Sequence, residues 1–296
     1  FFWKKRKKRD GNHFINQAFK KKASLAIVNN INKNNKISCQ IKVKNSLKFL
    51  IEISKKFREN IDTKIIAITG SSGKTTLKEL LGSSLKKISK VNISPKSFNN
   101  KYGVPLSLFN LDQKDDYGVL EIGMDKKGEI DYLSKIVQPD ISVITNVNYA
   151  HAKNFKNLKQ IALAKSEIIN NTKNNGYIIL NADDTYFSLH KKIEIKKNLK
   201  ILSFGIKSKN ANIKLLSIKK FGKKFKADIK VHKLKFSFMI LNNFQSNIYN
   251  ILETITVLDI CFNIFKLSKN IFTNFKTPEG RGDISRIRIN NKNLNL

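Results

Sequence analysis

The feature that most constrains this chain is the glycine-rich octapeptide Thr69–Thr76, which reads TGSSGKTT. An apolar segment, Ile65–Thr69, leads into it, and the segment Thr76–Lys87, which we predict to be helical, follows it. Glycines let backbone N–H groups turn toward one point, and the start of a helix adds positive potential there. A strand, this loop and a helix in that order predict a phosphate-binding site. The residues concerned are Gly70, Ser71, Ser72, Gly73, Lys74, Thr75 and Thr76.

Two side chains of the loop, and one acid beyond it, have the chemistry that a bound nucleoside triphosphate requires. We expect Lys74 to contact the β- and γ-phosphates and the Thr75 hydroxyl to ligate Mg²⁺. A carboxylate at the end of a nearby strand is needed to hold the metal against the phosphates. Glu121 lies at the end of the apolar segment Tyr117–Ile122, and it stands out because the chain has 22 acidic residues against 57 basic ones.

From Lys64 onward, predicted strands and helices alternate, which indicates an α/β fold with a doubly wound, mostly parallel sheet. A shorter α/β pattern precedes it in the first sixty residues. Apolar and basic residues alternate over Ile213–Ile240, around Phe221-Gly222, and this predicts antiparallel hairpins at the sheet edge. The predicted strands are Ile65–Thr69, Tyr117–Ile122, Ile141–Asn146 and Tyr177–Asn181, and the predicted helices are Thr76–Lys87, Glu129–Val137 and Leu158–Ile169.

The formal net charge of +35 is extreme for a chain of 296 residues, and it raises the hypothesis of a basic, nucleic-acid-binding ATPase. The runs Lys4–Arg9 and Lys219–Lys226 are locally dense, but lysine is abundant in every segment, which favours a bias of composition. The two cysteines are far apart and form no CxxC pair, as is typical of a reducing cytoplasm. No apolar run is long enough for a transmembrane helix.

Six further motifs follow the loop in a fixed order, and together with it they resemble the Mur ligase family of ATP-dependent amide ligases. Within the family the resemblance is to the member that adds D-alanyl-D-alanine to UDP-N-acetylmuramoyl-tripeptide. The motifs are Ser97–Asn100 with Gly103–Leu106, Leu120–Met124, Gly128–Ile130, Thr145-Asn146 with His151, Ala164–Ile168 and Leu180–Asp184.

The resemblance implies that ATP activates a substrate carboxylate as an acyl phosphate, which the amine of the dipeptide then attacks. It implies two Mg²⁺ ions, one held by Thr75 and Glu121 and the other by His151 and Lys165, with Lys165 carbamylated by CO₂. The resemblance also implies that Lys74, Glu121, His151 and Lys165 are the catalytic residues. Asn99 and Asn100 correspond to positions near the muramoyl substrate. Asn247 corresponds to a contact of the adenine base.

The resemblance also implies a division of the chain into residues 1–60, part of an N-terminal UDP-sugar-binding domain, residues 61–276, the central ATP-binding domain, and residues 277–296, the start of a link to a further domain. A cytoplasmic monomer is expected, with no nucleic-acid partner. A fragment that lacks the further domain is expected to bind ATP without forming the amide. Another Mur-type ligase or a folylpolyglutamate synthase would share Lys74, Glu121, His151 and Lys165, so these alternatives stay open.

Overall fold

A computed structural model describes residues 14–150, 152–194, 198–275, 277–278, 286–289 and 292–295. Lys4–Arg9, His151 and residues 279–285 of the predicted link lie outside the described residues. The chain divides into two compact units, Phe1–Ile61 and Asp62–Leu296.

The first unit contains a small two-stranded parallel sheet, in which β1 (Ala26–Val28) pairs with β2 (Gln40–Lys42). Two helices accompany it, α1 (Ile15–Lys20) and α2 (Ser46–Glu59). Ile15 of α1 packs against β1 in a small core of fully buried side chains. The α/β character predicted for this region is therefore present, and its binding of a UDP-sugar stays a prediction.

The second unit is built on a nine-stranded sheet with the order β11-β10-β9-β8-β7-β6-β3-β5-β4. Its strands are β3 (Lys64–Thr69), β4 (Val91–Ile93), β5 (Tyr117–Glu121), β6 (Ile141–Ile144), β7 (Tyr177–Asn181), β8 (Lys200–Gly205), β9 (Ile213–Phe221), β10 (Lys224–Val231) and β11 (Leu234–Ile240). Its helices are α3 (Lys74–Leu85), α4 (Gly103–Leu108), α5 (Glu129–Val137), α6 (Leu158–Asn170), α7 (Phe187–Glu194) and α8 (Gln245–Cys261). A separate antiparallel pair, β12 (Arg286–Ile289) and β13 (Lys292–Asn295), follows.

The sheet confirms the predicted doubly wound fold. Every pairing from β4 through to β9 is parallel, and β9, β10 and β11 are antiparallel hairpins, as the alternating pattern predicted. The strand β3 lies between β5 and β6. The carboxyl ends of these three parallel strands therefore meet at one edge of the sheet, where the strand order reverses, and crevices of this kind bind ligands in open α/β sheets.

Helices α3 and α8 pack against each other and contribute to a hydrophobic core of the second unit. Helix α8 presents a buried apolar stripe made of Ile248, Ile251, Leu252 and Ile255. The helix ends at Cys261, and the backbone of Phe262 is extended. No helix in the described part of the chain combines the length and the apolar character needed to span a bilayer.

Candidate functional site

The glycine-rich loop joins β3 to α3 and has the backbone conformation that its glycines allow. Gly70 has φ +151° and Gly73 has φ +81°, both in the region that side chains disfavour. Lys74 is the first residue of α3, and its Nζ donates to the Gly70 carbonyl at 2.8 Å. The lysine side chain therefore folds back over the loop, and the ammonium group lies where phosphate oxygens would enter.

The end of β6 holds the loop in place through Thr145 and Asn146, two residues to which the sequence assigned no role. Asn146 accepts the N–H of Ser71 on its carbonyl (3.0 Å) and the N–H of Ser72 on its side-chain oxygen (3.1 Å). Thr145 Oγ1 donates to the Ser72 carbonyl at 2.8 Å. With these two amides engaged, the start of α3 is the part of the loop best placed to offer N–H donors to a phosphate.

Gly70→Ala is expected to lower the free energy of unfolding by about 3 kcal/mol and to abolish nucleotide binding. A Cβ at residue 70 would lie 1.8 Å from Thr145 Oγ1, so the loop and the end of β6 would have to separate. Gly128→Ala is a matched control, since Gly128 has φ +86° but open space around its Cβ position, and it should cost only about 1 kcal/mol. If urea denaturation showed that the two variants lose equal free energy of unfolding, the contact with Thr145 would not be the reason for the loss at residue 70.

Glu121 and Thr75, predicted to share a metal ion, lie in direct contact. The Thr75 hydroxyl donates to Glu121 Oε2 at 2.7 Å, and the acid is only 2% exposed at the end of β5. Asn99 Nδ2 donates to the other carboxylate oxygen at 2.9 Å. Gly123 makes room for that asparagine, because a Cβ there would lie 2.9 Å from Asn99 Cγ.

Lys165 lies on α6 and is almost completely buried. Burial, and the charge of Lys74, lower the pKa of Lys165 to about 7. Among the described residues it has neither a hydrogen-bond nor an ion-pair partner. About half of this amine is therefore neutral near pH 7, and the influence of Lys74 indicates that α6 brings Lys165 toward the loop. The predicted ligand His151 lies outside the described residues, and the described ones include no cluster of three His, Cys, Asp or Glu side chains suited to a metal.

Lys165→Met is expected to stabilise the nucleotide-free protein at pH 7 by on the order of 2 kcal/mol. The pKa of Lys165 is about 7 in the folded protein and 10.5 as the unperturbed value, so between these pH values the unfolded chain binds more protons. The free-energy cost of burying the charged amine of Lys165 is thus present in full below pH 7 and disappears as the pH rises to 10.5. The stability gained by Lys165→Met should therefore shrink as the pH rises from 7 to 10.5, and melting curves recorded across this range measure that change. A gain independent of pH would show that packing causes it.

The two asparagines predicted to lie near a substrate both have partners within the protein. Asn99 contacts Glu121, and Asn100 Oδ1 accepts the N–H groups of Tyr102 and Gly103 at 3.1 Å each. Asn100 thereby fixes the turn that begins α4. Their predicted contact with a substrate stays a prediction.

Lys78 is a part of the site that the sequence analysis missed. It lies on α3, one turn after Thr75, and is completely buried. Its Nζ donates to the carbonyls of Ser94 (2.5 Å) and Lys96, and pairs with Glu79 at 3.1 Å. The segment that it holds leads directly to Asn99. Helix α3 therefore anchors both ends of one network, at Thr75 through Glu121 and Asn99, and at Lys78 through the backbone.

Lys78→Met is expected to cost about 3 kcal/mol of stability, because a buried carbonyl at Ser94 and a partly buried one at Lys96 lose a charged donor. Lys86→Met, at an exposed position just after the same helix, provides a control that should change stability by less than about 0.5 kcal/mol. Urea denaturation of both variants compares them directly. A Lys78 variant as stable as the control would show that the two carbonyls need no charged donor.

A cavity of about 630 Å³ lies beside the loop, between the ends of β6 and β7 and the start of α8. Asn247 lines it, as the prediction of a base contact requires, and donates to the Asn242 carbonyl at 3.4 Å.

Asp183 also lines this cavity. Burial alone would raise the pKa of Asp183, but hydrogen bonds from three backbone N–H groups and from the Tyr249 hydroxyl outweigh burial and lower that pKa. The N–H donors belong to Ile206, Lys207 and Ser208.

Glu253, on α8, is an unexpected acid in the lining of the same cavity. It is 1% exposed, and its Oε2 has no hydrogen-bond partner among the described residues. Burial raises its pKa well above the usual range. Burial therefore favours the neutral acid over the charged carboxylate at this position in the cavity lining.

A glycine-rich loop between a central parallel strand and a helix, with a buried acid at the end of the neighbouring strand, defines the P-loop class of α/β folds. Within that class, the sequence profile of the Mur ligase middle domain matches residues 68–258, more than half of the chain. The chain belongs to the Mur ligase family.

Three similar proteins agree with this assignment. The UDP-N-acetylmuramoyl-tripeptide–D-alanyl-D-alanine ligase of Buchnera aphidicola from Acyrthosiphon pisum is 40% identical over 76% of this chain and 47% of its own length. A crystal structure of MurF from Acinetobacter baumannii has a TM-score of 0.85 and 26% identity, over 100% of this chain and 63% of that one. MurF ligase from Thermotoga maritima in complex with ADP has a TM-score of 0.80 and 27% identity, over 96% and 65% respectively. The chain thus spans less than two thirds of each of them.

Proposed function

We propose that this chain is the nucleotide-binding part of an ATP-dependent ligase that joins D-alanyl-D-alanine to UDP-N-acetylmuramoyl-tripeptide. The names of the similar proteins support this choice over the sister ligases and the folylpolyglutamate synthases, and the ADP complex of the Thermotoga maritima ligase supports the nucleotide. The observation that carries the proposal is the buried contact between Thr75 and Glu121, next to Lys74 on the phosphate loop.

The reaction has two steps because a carboxylate is a poor electrophile. An oxygen of the substrate carboxylate attacks the γ-phosphorus of ATP, the bond to the β-phosphate oxygen breaks, and ADP leaves. The amine of the dipeptide then attacks the carbonyl carbon of the acyl phosphate. Inorganic phosphate leaves, the nitrogen loses a proton, and an amide remains. The first step brings two negative groups together, and the second develops negative charge on the carbonyl oxygen and the leaving phosphate, so the protein must supply positive charge.

The loop supplies part of this charge itself. Lys74 lies over the loop and would contact the β- and γ-phosphates, while the start of α3 would offer backbone N–H groups to them. Gly70, Ser71, Ser72, Gly73 and Thr76 would shape this cradle. The cavity beside the loop is large enough for a nucleoside, and Asn247 in its lining would contact the base.

The donor set also suits a divalent cation. A hydroxyl and a carboxylate are oxygen ligands of the kind that Mg²⁺ prefers, and Thr75 and Glu121 hold theirs 2.7 Å apart in a buried position. We assign one Mg²⁺ to these two residues and a second to His151 and Lys165. Bound there, the cations would screen the repulsion between carboxylate and phosphate.

Carbamylation would make Lys165 a metal ligand instead of a competing cation. The neutral amine attacks the carbon of CO₂, loses a proton and becomes a carbamate with anionic oxygens. A pKa of about 7 supports this step, because an ordinary lysine has almost no neutral amine at neutral pH. Asn99 and Asn100 would lie near the muramoyl group. We expect the enzyme to act in the cytoplasm as a monomer.

The test has two arms. Titration of the purified chain with ADP, with and without Mg²⁺, should give binding that Mg²⁺ strengthens. Phosphate release from ATP by the intact protein should require both the UDP-muramoyl-tripeptide and D-alanyl-D-alanine. Turnover that DNA or RNA stimulates, with no dependence on the dipeptide, would instead support the nucleic-acid-binding ATPase and overturn the proposal.

A further inference from the structure

The outward side of the three hairpin strands β9, β10 and β11 carries a concentration of lysines that the nucleotide chemistry does not use. Alternate residues of these strands, such as Ile213, Ile229 and Phe238, are buried in the core. The residues between them point the other way. We name this side the lysine face; its lysines are Lys214, Lys219, Lys224, Lys226, Lys230 and Lys235.

The pairing of the strands places these lysines directly opposite one another. Lys230 lies across from Lys214 on one side and from Lys235 on the other, and Lys226 lies across from Lys219. Like charges in directly opposed positions destabilise a sheet. The sheet therefore gains no stability from these opposed lysines.

Within the described residues, only one lysine of the lysine face has an acidic partner. Its single acid, Asp228, pairs with Lys235 at 3.1 Å and accepts hydrogen bonds from Ser217 (3.1 Å) and Ser237 (2.7 Å). The other five lysines have no acidic partner among the described residues. Protection of a sheet edge does not account for them either, because β9 and β10 are interior strands and only β11 lies at the edge.

An exposed aromatic ring accompanies the charges. Phe221 ends β9, lies opposite Lys224 and is 67% exposed, at a tight turn where Gly222 has φ +60°. Lys223, in the same turn, is also exposed. A hairpin tip with an aromatic ring among lysines has the composition of surfaces that bind at the headgroup level of anionic membranes.

We propose that the lysine face docks on an anionic phospholipid surface, with the Phe221 ring inserted among the headgroups. Headgroup phosphates would neutralise the opposed lysines. A nucleic-acid duplex would also attract the lysines, but it would accept the Phe221 ring only by unstacking a base step, whereas a headgroup layer accepts an aromatic ring directly. The inference goes beyond the ligase reaction and does not depend on it.

The test measures binding of the chain to phosphatidylcholine vesicles with and without phosphatidylglycerol. Lys219→Gln/Lys226→Gln/Lys230→Gln should bind the anionic vesicles about 100-fold more weakly, at about fivefold per lysine. The control Lys86→Gln/Lys135→Gln/Lys159→Gln removes the same charge from exposed positions elsewhere and should bind nearly as the parent does. Phe221→Ser should weaken binding, whereas Phe265→Ser, at an equally exposed ring, should not.

Each outcome decides the proposal. The lysine-face variant should melt no lower than its control, because it removes opposed like charges, so a loss of binding would not reflect unfolding. If the two triple variants lost equal affinity for the anionic vesicles, net charge alone would explain the binding, and the proposal would be overturned. Absence of binding to the anionic vesicles would overturn it as well. Tighter binding to a DNA or RNA duplex than to vesicles, lost in the lysine-face variant, would assign the face to nucleic acid instead.

Discussion

Lys165→Ala is expected to lower amide formation by the intact protein at least about 1,000-fold, since it removes a ligand from the site that screens charge during phosphoryl transfer. Formate or acetate should restore part of the activity, because a free carboxylate fits the space of the lost carbamate. Lys159→Ala, at an exposed position of the same helix, should retain full activity.

Rescue separates the two roles that Lys165 could have. A lysine needed only for packing would not respond to added carboxylates, and its loss would lower stability rather than raise it. Unchanged turnover in Lys165→Ala would remove this residue from the metal site. The carbamate itself predicts a further dependence, since activity of the parent protein should fall when dissolved CO₂ is removed and return when bicarbonate is added.

Lys74→Met is expected to lower turnover about 100- to 1,000-fold and to weaken triphosphate binding more than diphosphate binding. The lysine would contact the γ-phosphate, which only the triphosphate carries. Because the charge of Lys74 contributes to the low pKa of Lys165, the same variant should raise that pKa and slow carbamylation at neutral pH. Equal losses of ADP and ATP affinity would indicate that Lys74 acts only by shaping the loop, through its bond to Gly70.

Much of this site follows from local signals in the sequence. The glycines of the loop, Lys74 and Thr75 lie within one octapeptide between a strand and a helix, so their proximity needs no knowledge of the tertiary fold. Glu121 could be added because the ends of neighbouring parallel strands converge. Its contact with Thr75 at 2.7 Å depended on β5 lying next to β3, which a doubly wound sheet makes a natural arrangement.

The missed residues have in common that their roles depend on distant partners. Lys78 is one lysine among many in the sequence, and only its burial against the carbonyls of Ser94 and Lys96 distinguishes it. Glu253 only interrupts an apolar helix in the sequence, and the cavity that gives it meaning arises where α8 meets the loop. Short elements such as β4 and α4 were missed for a related reason, since they are too brief to show a period.

The order of strands in the sheet has a consequence for how this chain can change over time. The phosphate loop, Glu121 and Asn146 come from β3, β5 and β6, three adjacent strands, whereas the hairpin strands lie beyond β7 and β8. Side chains on the outward side of the hairpins, unlike those that pack against α8, therefore lie away from the reacting groups, and packing changes weaken over such distances. The outward surface of this margin can thus acquire new chemistry without a direct change at the phosphate loop.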